Sequence, residues 1–154
     1  MADGSPLKEE IRMPIGSTAR QPGEDWIALV RKSGTAEFAS AFAENPVLNS
    51  SVLNGTCAGV EAIETLLAAS TGGMYDKLTF THETVAGPKT YLEWEGMALG
   101  KSVSGSTILT RNAAGLLQSI QIYLRPLPMV LQFSAELAKR LKGKVSPSLF
   151  ATRD

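Results

Sequence analysis

KLTFTHETVAGPKTYLEWEGMALGKSVSGSTILTR, residues Lys77–Arg111, is where the hydrophobic period of the chain changes from helical to two. Leu78, Phe80 and His82 alternate with Thr79, Thr81 and Glu83, the pattern of a strand with one face turned to a core. AGPK turns the chain, TYLEWEGM brings it back, and GKSVSGSTILTR is a third extended run. NAAG then turns it again into LLQSIQIYLRP. Four such runs joined by short turns predict an antiparallel meander.

The residues before the meander are helical in pattern. WIALVRKSG places Trp26, Ile27 and Val30 at helical spacing, with Asp25 or the preceding turn as cap and Gly34 as stop. Thr35 can cap a second helix over AEFASAFAEN, with Phe38 and Phe42 one turn apart and Pro46 at its end. PVLNSSVLNG reads as a short strand entering a loop. GVEAIETLLAAS carries Val60, Ile63, Leu67 and Ser70 on one stripe and closes at Gly72 and Gly73. After the meander, LPMVLQFSAELAKRLKG makes a last amphipathic helix, with Val130, Phe133, Leu137 and Leu141 as its stripe and Lys139, Arg140 and Lys142 at its negative end. Helices first, a curved antiparallel sheet next and a helix last is an α+β pattern, a cone with helices over one sheet face and a pocket at the open end.

Composition narrows the function classes. A chain of 154 residues buries about 70 % of its unfolded surface, enough for one domain without staples. With 44 % hydrophobic and 19 % charged residues it has a globular composition. Fifteen basic residues offset fifteen acidic ones and are scattered, which argues against a nucleic-acid partner. No apolar run approaches the ~20 residues of a membrane span, so no membrane partner is expected. One cysteine, Cys57, excludes an internal disulfide and suits a reducing, cytoplasmic setting. Residues 1–24, rich in charge, Gly and Pro, read as a mobile arm without a secretory leader; residues 25–143 are the domain, and 144–154 a loose tail.

FAENPVLNSSV, CAGVEAIETLL, YLEWEGMALGKSVSGSTIL and NAAGLLQSIQIYLRPL, in that order and spacing, resemble the superfamily of nuclear transport factor two, ketosteroid isomerase and the SnoaL-like polyketide cyclases, over roughly residues 25 to 130. The ending IYLRPLPMVLQFSAEL resembles a bacterial branch whose members mostly lack an assigned activity. The resemblance implies a small apolar organic ligand, a homodimer formed through the outer sheet face, and isomerase, cyclase or hydratase chemistry. Yet Ser50 stands where the isomerase has its general-base aspartate, Thr107 where it has the protonated aspartate of its oxyanion hole, and Trp26 where it has the tyrosine of that hole. A serine without a separate base does not take an α-proton near neutral pH, so the steroid-isomerase mechanism is not expected. The arginine and two aspartates of limonene epoxide hydrolase have no evident counterparts.

The remaining candidates follow from face and register. His82, sharing its face with Leu78 and Phe80, is the candidate acid or base, with Glu93 as a candidate partner. A two- or four-residue loop at AGPK sets His82 beside Glu93 and a three-residue loop sets it beside Leu92; the family comparison favours Leu92 and Trp94 inward and Glu93 and Glu95 outward. Trp26, Phe42, Trp94, Ile120 and Ile122 are candidate apolar pocket walls, with Asn49, Ser50, Ser51 and Thr107 as polar anchors. Gln121 and Tyr123 should face outward. GTCAG, Gly55–Gly59, imitates a nucleophile elbow with Cys57, and its plainer reading is a loop entering a helix with a half-buried thiol. No ligand spacing supports a metal and no phosphate loop follows a strand, so no cofactor is expected. A non-catalytic ligand-binding or protein-interaction module is the alternative to an enzyme.

Overall fold

The computed structural model describes residues 20–151. The order of elements is α1 (Glu24–Val30), α2 (Ala36–Ser40), β1 (Phe42–Ser50), β2 (Cys57–Ala58), α3 (Val60–Thr71), β3 (Tyr75–Ala86), β4 (Lys89–Ala98), β5 (Lys101–Arg111), β6 (Leu117–Arg125) and α4 (Leu127–Arg140), followed by a 3-10 turn at Pro147–Leu149. The strands form one curved, unclosed sheet in the order β2-β1-β6-β5-β4-β3. The meander β3 to β6 is antiparallel as the alternation predicts, while β1 joins β6 in parallel and makes the sheet mixed. The α+β cone expected from the order of elements is the architecture found.

The core lies between the inner sheet face and two helices. Alternate residues turn inward along each strand, giving cross-strand rows such as Leu92, Thr107, Ile122 and Ser50, and Thr90, Leu109, Ile120 and Leu48. Against these rows α3 buries Ile63, Leu66 and Leu67, and α4 buries Met129, Phe133 and Leu137. Each of these side chains, taken from water, contributes roughly 1.5–3 kcal/mol. Gly105 gives the sheet room to bend inward: a Cβ there would collide with the Tyr123 carbonyl and with the Trp94 ring, which packs flush on its backbone.

Two elements differ from the pattern-based expectation. The second helix, expected to run to Asn45, stops after Ser40, and Phe42 already belongs to β1. Pairing with β6 takes over the backbone there, beginning with the Leu117 amide donating to the Ala41 carbonyl at 2.9 Å. Asn45 adopts a left-handed φ of 56° and the register shifts between Phe42 and Val47, a bulge that accommodates Pro46 and its missing N–H. Phe38 and Phe42 still meet, with ring centroids 4.9 Å apart, across the helix–strand junction instead of along a helix.

The tail expected to be loose from Lys144 is packed through Ala151. Phe150 is buried and bridges to Leu53, and Asn54 Nδ2 donates to the Phe150 carbonyl at 2.7 Å. The buried Ser134 hydroxyl donates to the Val52 carbonyl at 2.7 Å and accepts the Ala151 amide at 2.8 Å. Most of the expected N-terminal arm, residues 1–19, lies outside the described residues, as do residues 152–154.

Candidate functional site

The decisive local event is a β-bulge in β3. Phe80 pairs with Trp94, but His82 pairs with Glu93, so Thr81 is an extra residue on the edge strand and the alternation of faces inverts there. Before the bulge Leu78 and Phe80 point inward; after it Glu83 does, opposite the buried Leu92. His82 is therefore not on the face of Leu78 and Phe80. It is exposed on the outer face beside Glu93, and its Nε2 lies 2.6 Å from Thr84 Oγ1. The turn is the two-residue Gly87–Pro88, with Ala86 opposite Lys89 and Gly87 at a left-handed φ of 60°. Leu92 and Trp94 face inward, and Glu93 and Glu95 face outward.

The inward Glu83 anchors the chain ahead of α1. Its Oε1 accepts the Gly23 amide at 2.8 Å and its Oε2 accepts Arg20 Nη1 at 3.1 Å, while Arg20 also pairs with Asp25 at 3.1 Å. Gly23, the cap of α1, has φ 73°, and a Cβ there would run into the Phe80 ring. Only glycine lets the chain lie this close to the sheet. The anchor sets α1, with the buried Trp26, as a roof over the lower half of β3.

Under that roof is a cleft of about 430 Å³ walled by Trp26, Ile27, Val30, Tyr75, Leu78 and Phe80, with Arg31, Asp76 and Lys77 at its rim. It shares Trp26, Val30, Thr71, Tyr75, Leu78 and Phe80 with a chamber of about 70 Å³ that reaches inward to Trp94, Thr107, Ile122 and Phe133. In the chamber wall Trp94 Nε1 donates to Thr107 Oγ1 at 3.0 Å, and both residues are almost fully buried. Tyr75 stands edge-on to Trp94 at 5.8 Å and tilts against Phe133 at 5.2 Å between ring centroids. Burial pushes its phenol well above the usual range, and its hydroxyl makes no hydrogen bond to another described residue. A larger hollow of about 590 Å³ lies on the outer face, bordered by Glu95, Ser104 and Arg125. Its walls are more polar than those of the inner cleft and lack its aromatic side chains, so the inner cleft is the better ligand site.

The expected wall residues separate. Trp26, Trp94, Thr107 and Ile122 border the chamber. Ser50 is inward but borders a separate void of about 30 Å³, where its Oγ accepts the Val52 amide at 3.2 Å. Ile120 is packed core, Phe42 packs against Phe38, and Asn49 stands opposite Gln121 on the outer face, accepting from Thr56 Oγ1 at 2.8 Å. Ser51 supports the sheet by accepting the Leu124 amide at 2.8 Å. Tyr75 was missed because a register shift at Asp76 separates it from the readable alternation that starts at Lys77. Cys57, in β2, is buried, and burial pushes its thiol up to about 11, the opposite of an activated nucleophile. Among the described residues no group of three or more His, Cys, Asp or Glu side chains is placed to hold a metal.

No protein-family model and no curated protein matches the chain. Solved structures do. A steroid delta-isomerase from Pseudomonas aeruginosa superposes with a TM-score of 0.69 over 78 % of this chain and 88 % of its own, at 14 % identity. An uncharacterised bacterial protein with a cystatin-like fold from Silicibacter pomeroyi gives 0.67 over 75 % and 81 %, at 17 % identity. An NTF2-like protein of unknown function from Mesorhizobium loti gives 0.56 over 67 % and 87 %, at 20 % identity. The chain has the NTF2-like fold. At these identities the likeness is one of fold, and any activity of this NTF2-like chain has to be argued from its own cleft. No helix among the described residues is long and apolar enough to cross a membrane.

Proposed function

We propose that this NTF2-like protein binds a small, mostly apolar organic molecule in the cleft beneath α1. The observation that carries the reading is that cleft and chamber adjoin: about 430 Å³ of open volume with aromatic walls shares six residues with a chamber of about 70 Å³ whose wall includes Trp94 and Thr107. Ligand sites commonly occupy ~300–1,000 Å³, are lined mainly by apolar and aromatic side chains, and carry a few placed polar groups. Proton transfer by His82 is no part of this reading, because His82 is exposed on the other side of the sheet. The chamber wall offers hydroxyls and an indole, none of which is a base near neutral pH, so a binding role is favoured over isomerase or cyclase chemistry. The outer face, with Tyr91 and Tyr123 exposed among polar neighbours, is the surface on which a second copy would pair.

The chain has two tryptophans, and both border this space. Their intrinsic fluorescence therefore reports occupancy. Titration with a panel of cyclic and aromatic hydrocarbons bearing one polar group should shift or quench the emission saturably, with matching amide shifts along α1 and β3. An unchanged emission and unchanged amide spectrum across the panel at millimolar ligand would refute the proposal.

A further inference from the structure

Tyr75 opens β3 and pairs with the buried Ala98, which places its side chain on the inner face. The ring reaches from the cleft, which it borders beside Trp26, to the chamber, where it meets Trp94 and Phe133, two wall residues that do not border the cleft. Its hydroxyl makes no hydrogen bond to another described residue. Among the described residues, however, no side-chain oxygen or nitrogen is both sealed off and unpartnered. The phenol oxygen therefore opens into a space, and cleft and chamber are the hollows that Tyr75 borders.

Three neighbours on the chamber wall direct their hydrogens elsewhere: Ser70 and Thr71 to the Leu66 and Leu67 carbonyls at 2.9 and 2.8 Å, and Trp94 to Thr107. Burial keeps the Tyr75 phenol protonated, so it offers a hydrogen and carries no charge. At the mouth Arg31 and Asp76 offset one another, while Lys77, which pairs with Met97, points to the outer face. No net charge there draws an ion, and an ion carried into the aromatic chamber would lose its water without gaining a counter-charge. A neutral acceptor satisfies the phenol and is satisfied by it, at no such cost.

Resting on the reading of the cleft as a ligand site, we propose that its ligand is a neutral molecule whose polar group is an acceptor oxygen, held by the Tyr75 hydroxyl, with the apolar body against Trp26, Leu78 and Phe80. Carbonyl, ester and ether oxygens belong to this class. Tyr75 is then the residue that determines which polar group the cleft accepts. Losing its hydroxyl leaves the ligand's oxygen buried without a donor, which weakens binding about five- to thirty-fold.

The test uses the full chain and three probes of one shape, acetophenone, α-methylstyrene and benzoate, followed by the indole N–H signals of Trp26 and Trp94 in NMR titrations. Acetophenone should bind about tenfold or more tighter than benzoate. In the Tyr75→Phe variant, which keeps the ring against Trp94 and Phe133, acetophenone should weaken about five- to thirty-fold while α-methylstyrene stays within about twofold. The urea midpoint of that variant should be unchanged or higher, because the hydroxyl it removes has no partner in the fold. A lower midpoint, an unchanged acetophenone affinity, or equal weakening of acetophenone and α-methylstyrene would overturn the assignment to Tyr75. Benzoate binding as tightly as acetophenone, or α-methylstyrene binding where acetophenone does not, would overturn the neutral-acceptor class and leave the apolar cleft standing. If no probe binds at about 1 mM, the cleft reading itself fails, and this inference with it.

Discussion

Replacing Thr107 with Val isolates a buried side-chain hydrogen bond of the chamber wall. The side chains are nearly the same size, so packing is kept and what is lost is the acceptor of the Trp94 indole, 3.0 Å away in a pair that is 2 % and 4 % exposed. A buried donor left without a partner costs about 1–3 kcal/mol. The adjoining chamber of about 70 Å³ moderates this, since a water in the liquid takes about 30 Å³ and one could enter to accept the indole proton. The expected loss is therefore about 1–2 kcal/mol, read as a lower urea midpoint at unchanged slope and a Tm lower by about 2–8 °C. The cycle with Trp94→Phe separates this from a packing effect: once the donor is gone, Thr107→Val should be neutral or slightly stabilising, a coupling of about 1 kcal/mol or more. Equal costs in both backgrounds, or a loss below about 0.3 kcal/mol in the unmodified protein, would refute the reasoning.

His82→Ala should change stability by less than about 0.5 kcal/mol, since the ring is exposed and its one close contact is with Thr84. Affinity for any cleft ligand should not change either; a tenfold loss would put the imidazole on the inner face and overturn the bulge at Thr81. Cys57 should react slowly with iodoacetamide at neutral pH, because its buried thiol ionises only toward about 11. The unfolded chain loses the thiol proton first, at about 8.5, so the stability owed to the buried neutral thiol is complete below that value and declines as pH rises toward about 11. The stability difference between the unmodified protein and Cys57→Ala should shift against the unmodified protein across that window, and a difference that stays constant from pH 7 to 10.5 would contradict the burial.

What was legible in the sequence was whatever a local period could carry. Ile120 and Ile122 face inward and Gln121 and Tyr123 outward, because β6 runs without interruption through those positions and a period of two holds wherever pairing is regular, whereas the inward Leu92 and Trp94 are indicated by the family resemblance and not by the period. What failed depended on partners distant in sequence. AFAEN has the composition of a helix end, but Ala41 finds Leu117, and ladder bonds to a strand more than seventy residues away outweigh one more turn of a short helix. The tail is rich in Ser and Pro, yet Asn54 and Ser134 supply partners for the backbone of Leu149, Phe150 and Ala151.

The bulge at Thr81 is the instructive case, because a single extra residue on an edge strand decides both what leaves the pocket and what covers it. Without it, His82 would continue the inward face of Leu78 and Phe80 and Glu83 would sit in solvent. With it, the imidazole goes outward and a carboxylate comes in, where it would be costly if unpaired. Arg20 and the Gly23 amide remove that cost, and by doing so they tie down the segment that leads into α1. Gly23 then lies against Phe80 with no room for a side chain, and Trp26 follows at the position that roofs the cleft. The stretch that first suggests a histidine-centred reaction site thus works through its glutamate, as the fastening of a lid over an apolar cleft.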